Sequence, residues 1–320
     1  MEREASRTTR ADVWPELPYA DWKSTCDTLH LWTQIVGKVR LACTPWINHS
    51  WHATLYVTTR GLTTSPIPYG HESFELCFDF QSHQLRMHHE SGAERTVPLE
   101  ARSVADFYRE VLARLAELGV TVEIHEVPNE IVDPIPFPED EVHASYDPAY
   151  ARRFWRVLAS SARVLSDFRG GFKGKCSPVH FFWGGFDLAV TRFSGRRAPP
   201  HPGGVPNLAD WVTREAYSHE VSSAGFWPGS DAHPAAAFYS YAYPTPSGMS
   251  EASVRPESAV WSQELGEFLL PYDAVREASD PDDDLRSFLG STYEVAADLA
   301  EWDRAELEWG PGGRPSLSRE

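Results

Sequence analysis

The chain has few cations for its length and no long apolar run. Its 320 residues include 29 Lys and Arg against 46 Asp and Glu, so the formal net charge is −17. Nucleic acids and anionic membranes are bound through clustered cations, and this balance argues against both as partners. No apolar stretch approaches the roughly 20 residues that a membrane-spanning helix needs. We therefore expect a soluble protein.

Cysteine is also scarce, and the N-terminus lacks the features of a secretion signal. The four cysteines, Cys26, Cys43, Cys77 and Cys176, form no CxxC pair and lie in or near apolar segments. Buried free thiols are typical of proteins in a reducing cytosol. Residues 1–10 are charged and lack the apolar core of a signal peptide. These features predict a cytoplasmic location.

Several common catalytic motifs are missing. The sequence contains no HExxH, no GxGxxG after a predicted strand and no GxSxG. Residues 170–177 read GGFKGKCS, in which the glycine spacing is one residue short of a phosphate-binding loop. Cys176 stands where that loop has Ser or Thr, and Pro178 follows instead of a helix. Function must therefore be sought in less standard arrangements.

A weak internal repeat is present. Residues 44–70 and 177–203 align without gaps at an offset of 133 positions. Nine identities within about fifty positions are roughly three times the chance expectation and indicate an internal duplication. The identical pairs are Trp22/Trp155, Gly37/Gly170, Cys43/Cys176, Pro45/Pro178, Leu55/Leu188, Val57/Val190, Thr58/Thr191, Pro66/Pro199 and Gly70/Gly203.

Hydrophobic periodicity predicts the same order of elements in each half. Helices are expected at residues 21–36, 103–118, 148–168 and 285–302, with Gly37 ending the first and a shorter helix at 208–217. Strands are expected at 51–59, 74–80, 84–89, 96–99, 120–125, 181–193, 219–226, 236–243 and 267–270, with a Pro/Gly loop at 61–70. Short turns between strands favour antiparallel sheets.

The predicted fold class is α+β, with two tandem, internally duplicated halves related by a pseudo-twofold axis. The first half covers residues 13–127, and a Pro-rich acidic connection covers 128–146. The second half, with insertions, covers 147–308, and 309–320 form a flexible tail.

The chain resembles an uncharacterised, mainly actinobacterial family of proteins, DUF5996. The resemblance extends over about residues 14–308. The segments that carry it are DTLHLWTQIVGKVRLACTPWINHSWHATLYVTTRGLTTSPIPYG at 27–70, HFFWGGFDLAVTRFSGRR at 180–197, YSHEVSSAGFWPG at 217–229 and GEFLLPYDAVREA at 266–278. It implies one complete folding unit but no activity, cofactor or site residue.

Histidines near the repeated strands are the first candidates for chemistry. Asn48, His49 and His52 lie where a loop meets the first predicted polar-faced strand, and His180 and Asp187 lie in the second copy. His–carboxylate pairs serve in acid–base catalysis and in metal binding. The alternative is that the histidines are structural and that these strand faces are simply solvated.

Arginines, with an acidic and aromatic segment, complete the predicted site. Arg60, Arg192 and Arg196 could clamp an anion, since guanidinium groups match carboxylates and phosphates. The alternative is ion pairing with the excess of Asp and Glu. His219, Glu220 and Trp227 form a further candidate wall. A divalent metal, if present, is expected on His49, His52 and His219, and Asn48 and Trp227 are expected to bind ligand.

Two functions follow from these residues. The first is an enzyme that acts on a small anionic molecule in a pocket between the two repeats, with His49, His52, His180, Asp187 and Glu220 as catalytic groups. The second is a non-catalytic small-ligand-binding or protein-interaction module on the same scaffold. The two differ in whether the histidines are needed.

Overall fold

The structure, a computed structural model, describes residues 9–309, with only the backbone described for Arg10 and Ala11. Within that range, each half contributes one antiparallel sheet of six strands. The first contains β1 (Tyr56–Val57), β2 (Gly61–Thr63), β3 (Ile67–Tyr69), β4 (Glu72–Asp79), β5 (Gln84–His89) and β6 (Glu94–Pro98), in the order β1-β2-β4-β5-β6 with β3 also on β4. The second contains β7 (His180–Phe182), β8 (Asp187–Arg197), β9 (His219–Trp227), β10 (Ala237–Tyr243), β11 (Val260–Ser262) and β12 (Glu267–Pro271), in the order β11-β12-β10-β9-β8-β7. The predicted α+β class with antiparallel sheets is confirmed.

The helices α3 (Val104–Glu117), α4 (Pro148–Gly170) and α7 (Pro281–Leu299) lie close to their predicted positions, and each begins directly after an N-cap residue. Ser103 caps α3 by accepting a hydrogen bond from the Asp106 N–H, and Asp147 and Asp280 cap α4 and α7 in the same way. The helices are α1 (Arg10–Val13), α2 (Tyr19–Cys43), α3 (Val104–Glu117), α4 (Pro148–Gly170), α5 (Asp210–Ala216), α6 (Tyr272–Glu277), α7 (Pro281–Leu299) and α8 (Arg304–Leu307). None of the helices described is both long and apolar enough to cross a membrane.

Helix α2 does not end at Gly37, as the sequence predicted, but continues to Cys43. A Cβ at Gly37 would overlap the indole of Trp183. That indole is held in place because its Nε1–H donates to the Ala53 carbonyl oxygen at 2.6 Å. Gly37 therefore permits close packing between the halves instead of stopping a helix.

The segments predicted as strands in the first half are partly wrong. Residues 51–59 contain only the short strand β1, and Asn48–Ser50 form a 3-10 turn in which His49 has φ 61°. Residues 120–125 form no strand, whereas the predicted loop 61–70 contains β2 and β3. In the second half, the predicted strand 181–193 is a hairpin of β7 and β8.

The two sheets meet at Leu55 and Phe181. Each residue donates its N–H to the other's carbonyl oxygen, at 2.9 and 2.8 Å, in an antiparallel bridge. Phe181 also pairs with Leu188, the residue that corresponds to Leu55 at the offset of 133. The buried side chains of both halves form one continuous cluster. Both halves therefore stabilise a common core, and the corresponding segments flank β7.

Replacing Gly37 by alanine should destabilise the fold. A Cβ overlapping a fixed indole costs about 1–3 kcal/mol, which exceeds the ~1 kcal/mol that alanine gains over glycine within a helix. Urea unfolding of the variant measures the difference. Gly290→Ala in α7 is the matched control, because nothing lies within 4 Å of its Cβ position, and it should be stabilising. Equal gains from both changes would show that the contact with Trp183 carries no cost.

Candidate functional site

A cavity of about 880 Å³ lies at the junction of the two halves. One wall is the face of the second sheet formed by alternate residues of β8, β9, β10 and β12. The other walls come from α2, from residues 46–53, from residues 123–130, which run from the first half into the connection, and from residues 205–217 of the second half. Both halves and both irregular segments are therefore needed to enclose it.

The sheet wall carries a row of polar groups. Strand alternation turns Asp187, Thr191 and Phe193 of β8 toward the cavity. Thr191 Oγ1 lies 2.9 Å from Ser223 Oγ on β9, and the hydroxyl oxygens of Tyr217 and Tyr241 lie 2.8 Å apart. These bonds fix hydroxyl groups beside an otherwise aromatic space.

Asp187 is held by Tyr239 across a glycine. The Tyr239 hydroxyl donates to Asp187 Oδ2 from β10, passing over Gly225 of β9. A Cβ at Gly225 would lie 2.6 Å from the Tyr239 hydroxyl oxygen and would overlap the Leu188 carbonyl oxygen. Burial raises the pKa of Asp187 to about 6, although the hydrogen bond from Tyr239 lowers it.

Glu130 is a second carboxylate in the cavity, and it faces Asp187. A Cβ at Gly184 would overlap the Glu130 carboxylate. The Cβ position of Gly185 lies 3.0 Å from Asp187 Oδ1 and 3.7 Å from Glu130 Oε2, so both carboxylates border the same small space. Desolvation by the surrounding protein, followed by the charge of Asp187, raises the pKa of Glu130 to about 7, although the residue is partly exposed to solvent.

The backbone of Glu130 is held in a left-handed conformation, with φ 61°. Its N–H donates to the Pro206 carbonyl oxygen at 2.8 Å. The preceding Asn129 exchanges two hydrogen bonds with the Gln34 side chain, at 2.8 and 2.9 Å. A non-glycine residue held in this conformation by its surroundings is typical of functional sites.

Glu123 also lines the cavity, and Glu267 on β12 is its fourth carboxylate. Burial, followed by the charge of Asp187, raises the pKa of Glu267 to about 7. Among residues 9–309, no cation pairs with Glu267, Glu130 or Asp187. Lys38 lines the cavity, but its ammonium donates to the Val127 carbonyl oxygen at 2.6 Å. Among the described lining residues, acidic groups therefore outnumber the lysine and arginine side chains by four to one.

Aromatic side chains form most of the remaining surface. At the mouth, Trp46 and Trp211 lie with ring centroids 5.0 Å apart and are 46% and 57% exposed. Single exposed apolar residues are common, but adjacent exposed aromatic rings at the edge of a cavity are typical of a ligand or partner contact. The aromatic lining residues are Trp46, Trp51, Phe182, Trp183, Phe193, Trp211, Tyr217, Trp227, Tyr239 and Tyr241.

Of the predicted site residues, His49, Asp187 and Trp227 line the cavity. His49 Nδ1 donates to the Ala216 carbonyl oxygen at 2.9 Å, and Nε2 accepts from Lys175 Nζ at 2.8 Å. Burial lowers the pKa of His49, and the charge of Lys175 lowers it further. His49 is therefore a neutral imidazole whose two nitrogens are both engaged.

The remaining predicted polar residues, Asn48, His52, His180 and His219, do not line the cavity. His52 Nδ1 accepts from the Ile47 N–H at 3.2 Å, and burial lowers the pKa of the fully buried His180 to about 3. The ring centroids of His49 and His219 are 6.2 Å apart. Over residues 9–309, no three His, Cys, Asp or Glu side chains are arranged to hold a metal ion. The predicted metal ligands His49, His52 and His219 thus form no ligand set there.

The three arginines predicted to clamp an anion do not line the cavity. Arg60 donates to Asp79 at 2.7 Å, and Arg196 donates to Glu220 and to carbonyl oxygens at the end of α7. The Arg192 guanidinium is buried 3.5 Å from the Phe168 ring centroid. It alternates with Thr191 and so faces the opposite side of the sheet. These arginines and Glu220 are therefore engaged in contacts within the protein.

The expected pairing of two polar strand faces is also not observed. Thr54 and Tyr56 of the first copy do not line the cavity, and that half contributes Trp51 and Ala53 instead. Sequence reasoning missed Glu130, Glu267 and Tyr239. The signal for Glu130 in the sequence is an acidic residue inside a Pro-rich segment, and that pattern alone predicts a linker between the halves.

Replacing Tyr239 by phenylalanine should raise the pKa of Asp187 further above about 6. The lost hydroxyl is the group that stabilises the ionised carboxylate, while the burial that opposes ionisation remains. Carbon-13 NMR titration of the aspartate carboxyl groups measures the shift. Tyr243→Phe is the control, because that hydroxyl donates to the Pro199 carbonyl oxygen. An unchanged Asp187 pKa would contradict the assigned bond.

Comparisons with known proteins support membership of a family without naming an activity. No curated protein and no solved structure gave a significant match to the chain. A family model described as a family of unknown function, DUF5996, matches residues 14–309. The chain, with its two antiparallel sheets and shared cavity, therefore belongs to the DUF5996 family.

Proposed function

We propose that this protein is an enzyme that carries out acid–base chemistry on a small molecule bound in the junction cavity. Glu130 and Asp187 are the proton-transferring pair. The observation that carries the proposal is that both carboxylates border one small space beside Gly185. Neither has a cationic partner among the described residues.

Two neighbouring carboxylates with different pKa values are suited to acid–base catalysis. Proton transfer is most efficient when the pKa of the catalytic group lies near the working pH. Desolvation raises the pKa of Asp187 to about 6, and desolvation followed by the charge of Asp187 raises the pKa of Glu130 to about 7. Near neutral pH the pair therefore holds about one proton, so one carboxyl group serves as acid and the other as base.

The surroundings decide which substrates fit. Four carboxylates line the cavity and repel an anion, so the proposed substrate is neutral or cationic instead of the anionic one predicted from the sequence. Tyr239 orients Asp187, and the aromatic walls exclude water and bind apolar parts of the substrate. His49 supports the wall through its bonds to Ala216 and Lys175.

The proposal can be tested without knowing the substrate. A cellular metabolite extract is incubated with the purified protein and with Glu130→Gln or Asp187→Asn variants, and masses are compared by liquid chromatography–mass spectrometry. We expect one compound to disappear and another to form only with the unchanged protein. The proposal would be contradicted if extracts from several bacteria each had the same composition after incubation with the unchanged protein and with the two variants.

The exposed Trp46–Trp211 pair favours the second function, a non-catalytic ligand-binding protein. In that case the protein retains a compound from the extract through dialysis but returns it chemically unchanged. The carboxylates would then contribute affinity without turnover.

Glu130→Gln should also stabilise the fold at high pH. The ordinary glutamate pKa of 4.5 is raised to about 7 in the folded state. Between these values the folded state holds more protons than the unfolded state, so this group weakens stability as pH rises. Glutamine does not titrate, so the variant's advantage should be small near pH 4 and largest at pH 8. Urea unfolding measures it, with the exposed Glu257→Gln as control. A constant difference across pH would contradict the raised pKa.

A further inference from the structure

The cavity carboxylates have no cationic partner among the described residues, and they reach the space of the cavity, since Asp187 and Glu267 are half-buried and Glu130 is exposed. Asp79 is paired with Arg60, Asp140 with His143 and Glu220 with Arg196, each at 2.7 Å. Asp187, Glu130 and Glu267 have no such partner among residues 9–309. Carboxylates that share one cavity repel one another when ionised, and the charge of Asp187 acts on both Glu130 and Glu267, so a bound cation would relieve this repulsion.

The cavity walls suit an organic cation better than a metal ion. The carboxylates do not form a metal-binding arrangement within the described residues, and the volume of about 880 Å³ is that of a site for an organic molecule. Aromatic ring faces attract cations, and tryptophan does so most strongly. Trp51, Trp183 and Trp227 line the same space as the three carboxylates.

We infer that the cavity binds a small organic cation, a quaternary or protonated amine, whose charged group lies among Asp187, Glu130 and Glu267. The exposed Trp46 and Trp211 rings at the mouth suit an apolar substituent on that cation. The inference rests on the proposed function for the location of the site, but it does not depend on proton transfer. A cation near these carboxylates would also favour their ionised forms.

Matched ligands separate charge from shape. Choline and 3,3-dimethylbutan-1-ol have nearly the same shape, but only choline carries a charge. At pH 8, where the carboxylates are ionised, isothermal titration calorimetry should show that choline binds at least about tenfold more tightly. Benzyltrimethylammonium should bind more tightly than choline because its ring can contact Trp46 and Trp211. Glucose serves as a neutral polyhydroxylated probe.

Variants connect the affinity to the named carboxylates. Asp187→Asn and Glu267→Gln should each weaken benzyltrimethylammonium binding by about tenfold, whereas the exposed Glu257→Gln should leave it unchanged. Circular dichroism and the thermal unfolding midpoint confirm that each variant is folded. Using two carboxylates on different strands keeps the test valid if one variant does not fold.

The inference is overturned if 3,3-dimethylbutan-1-ol binds as tightly as choline, if glucose alone binds, or if none of the probes binds. It is also overturned if both carboxylate variants bind benzyltrimethylammonium as well as the unchanged protein. Its failure can be told apart from failure of the proposed enzyme. Charge-selective binding together with metabolite extracts that stay unchanged removes only the catalytic proposal. If turnover needs Glu130 and Asp187 but the cavity shows no preference for cations, only the inference that the ligand is a cation is overturned.

Discussion

Asp187→Asn and Glu130→Gln should each reduce the turnover of the substrate by about 10²–10⁴-fold, the range over which positioned acids and bases contribute. Each amide nearly preserves the shape of the side chain but cannot exchange a proton. The loss should appear mainly in kcat, because the aromatic walls that contribute to binding are unchanged. Steady-state kinetics on the metabolite found in the extract measures the effect.

The pH profile of this reaction provides the accompanying check. With pKa values of about 6 and about 7, the unchanged protein should show a bell-shaped dependence centred between them. The other titratable groups that line the same cavity are Lys38, His49, Glu123, His125, Tyr217, Tyr239, Tyr241 and Glu267. Asp187→Asn should remove one limb of the profile. Activity that persists in both variants with an unchanged profile would rule out the assigned pair.

Phe181→Ala should produce the largest loss of stability, about 3–5 kcal/mol. The Phe181 ring is fully buried, 5.4 Å from Phe186 and 6.3 Å from Phe154 between ring centroids. Its removal leaves a void where the two sheets meet. Because folded domains are stable by only about 5–15 kcal/mol, a loss of this size is a large part of the total. Urea unfolding at pH 7 measures it.

Trp211→Ala is the comparison for this experiment. It removes a larger side chain, but that side chain is 57% exposed, so the expected change is within about 0.5 kcal/mol. If the two substitutions were equally destabilising, the junction around Phe181 would not be the packed centre described above.

The elements that could be predicted from the sequence are those fixed by nearby residues. Ser103 and Asp106 mark the start of α3, and the apolar stripe of residues 148–168 marks α4. The hairpin of β4 and β5 also lies within a few residues of its prediction. In each case the signal and the structure it determines lie within one or two turns of chain.

The errors arise where distant residues decide the local structure. Gly37 is a helix-ending residue by local rules, but Trp183 packs on it and α2 continues. The alternating pattern of residues 51–59 predicts a strand, yet the preceding His49 donates its backbone N–H to Glu215 at 2.7 Å. That contact with α5 fixes a turn whose cause lies far away in sequence.

The same distinction explains the site. Asp187 could be predicted as a cavity residue because it lies on the polar face of a strand. Arg192, which was predicted to bind an anion, lies on the opposite face of the same strand. Glu130 could not be found, because its conformation depends on contacts with Gln34 and Pro206. Those contacts join α2, the connection and residue 206, three segments that are far apart in the sequence and share no sequence pattern.

The position of Glu130 outside both sheets bears on how this family can diversify. Strand residues such as Asp187 are constrained by neighbours on two sides, and their replacement disturbs packing. The Glu130 backbone is held by the Pro206 carbonyl oxygen, but its side chain is exposed and pairs with no strand, so another side chain at this position leaves both sheets intact. Relatives that keep both sheets but carry a different side chain at this position should therefore have acquired new substrates or lost turnover altogether.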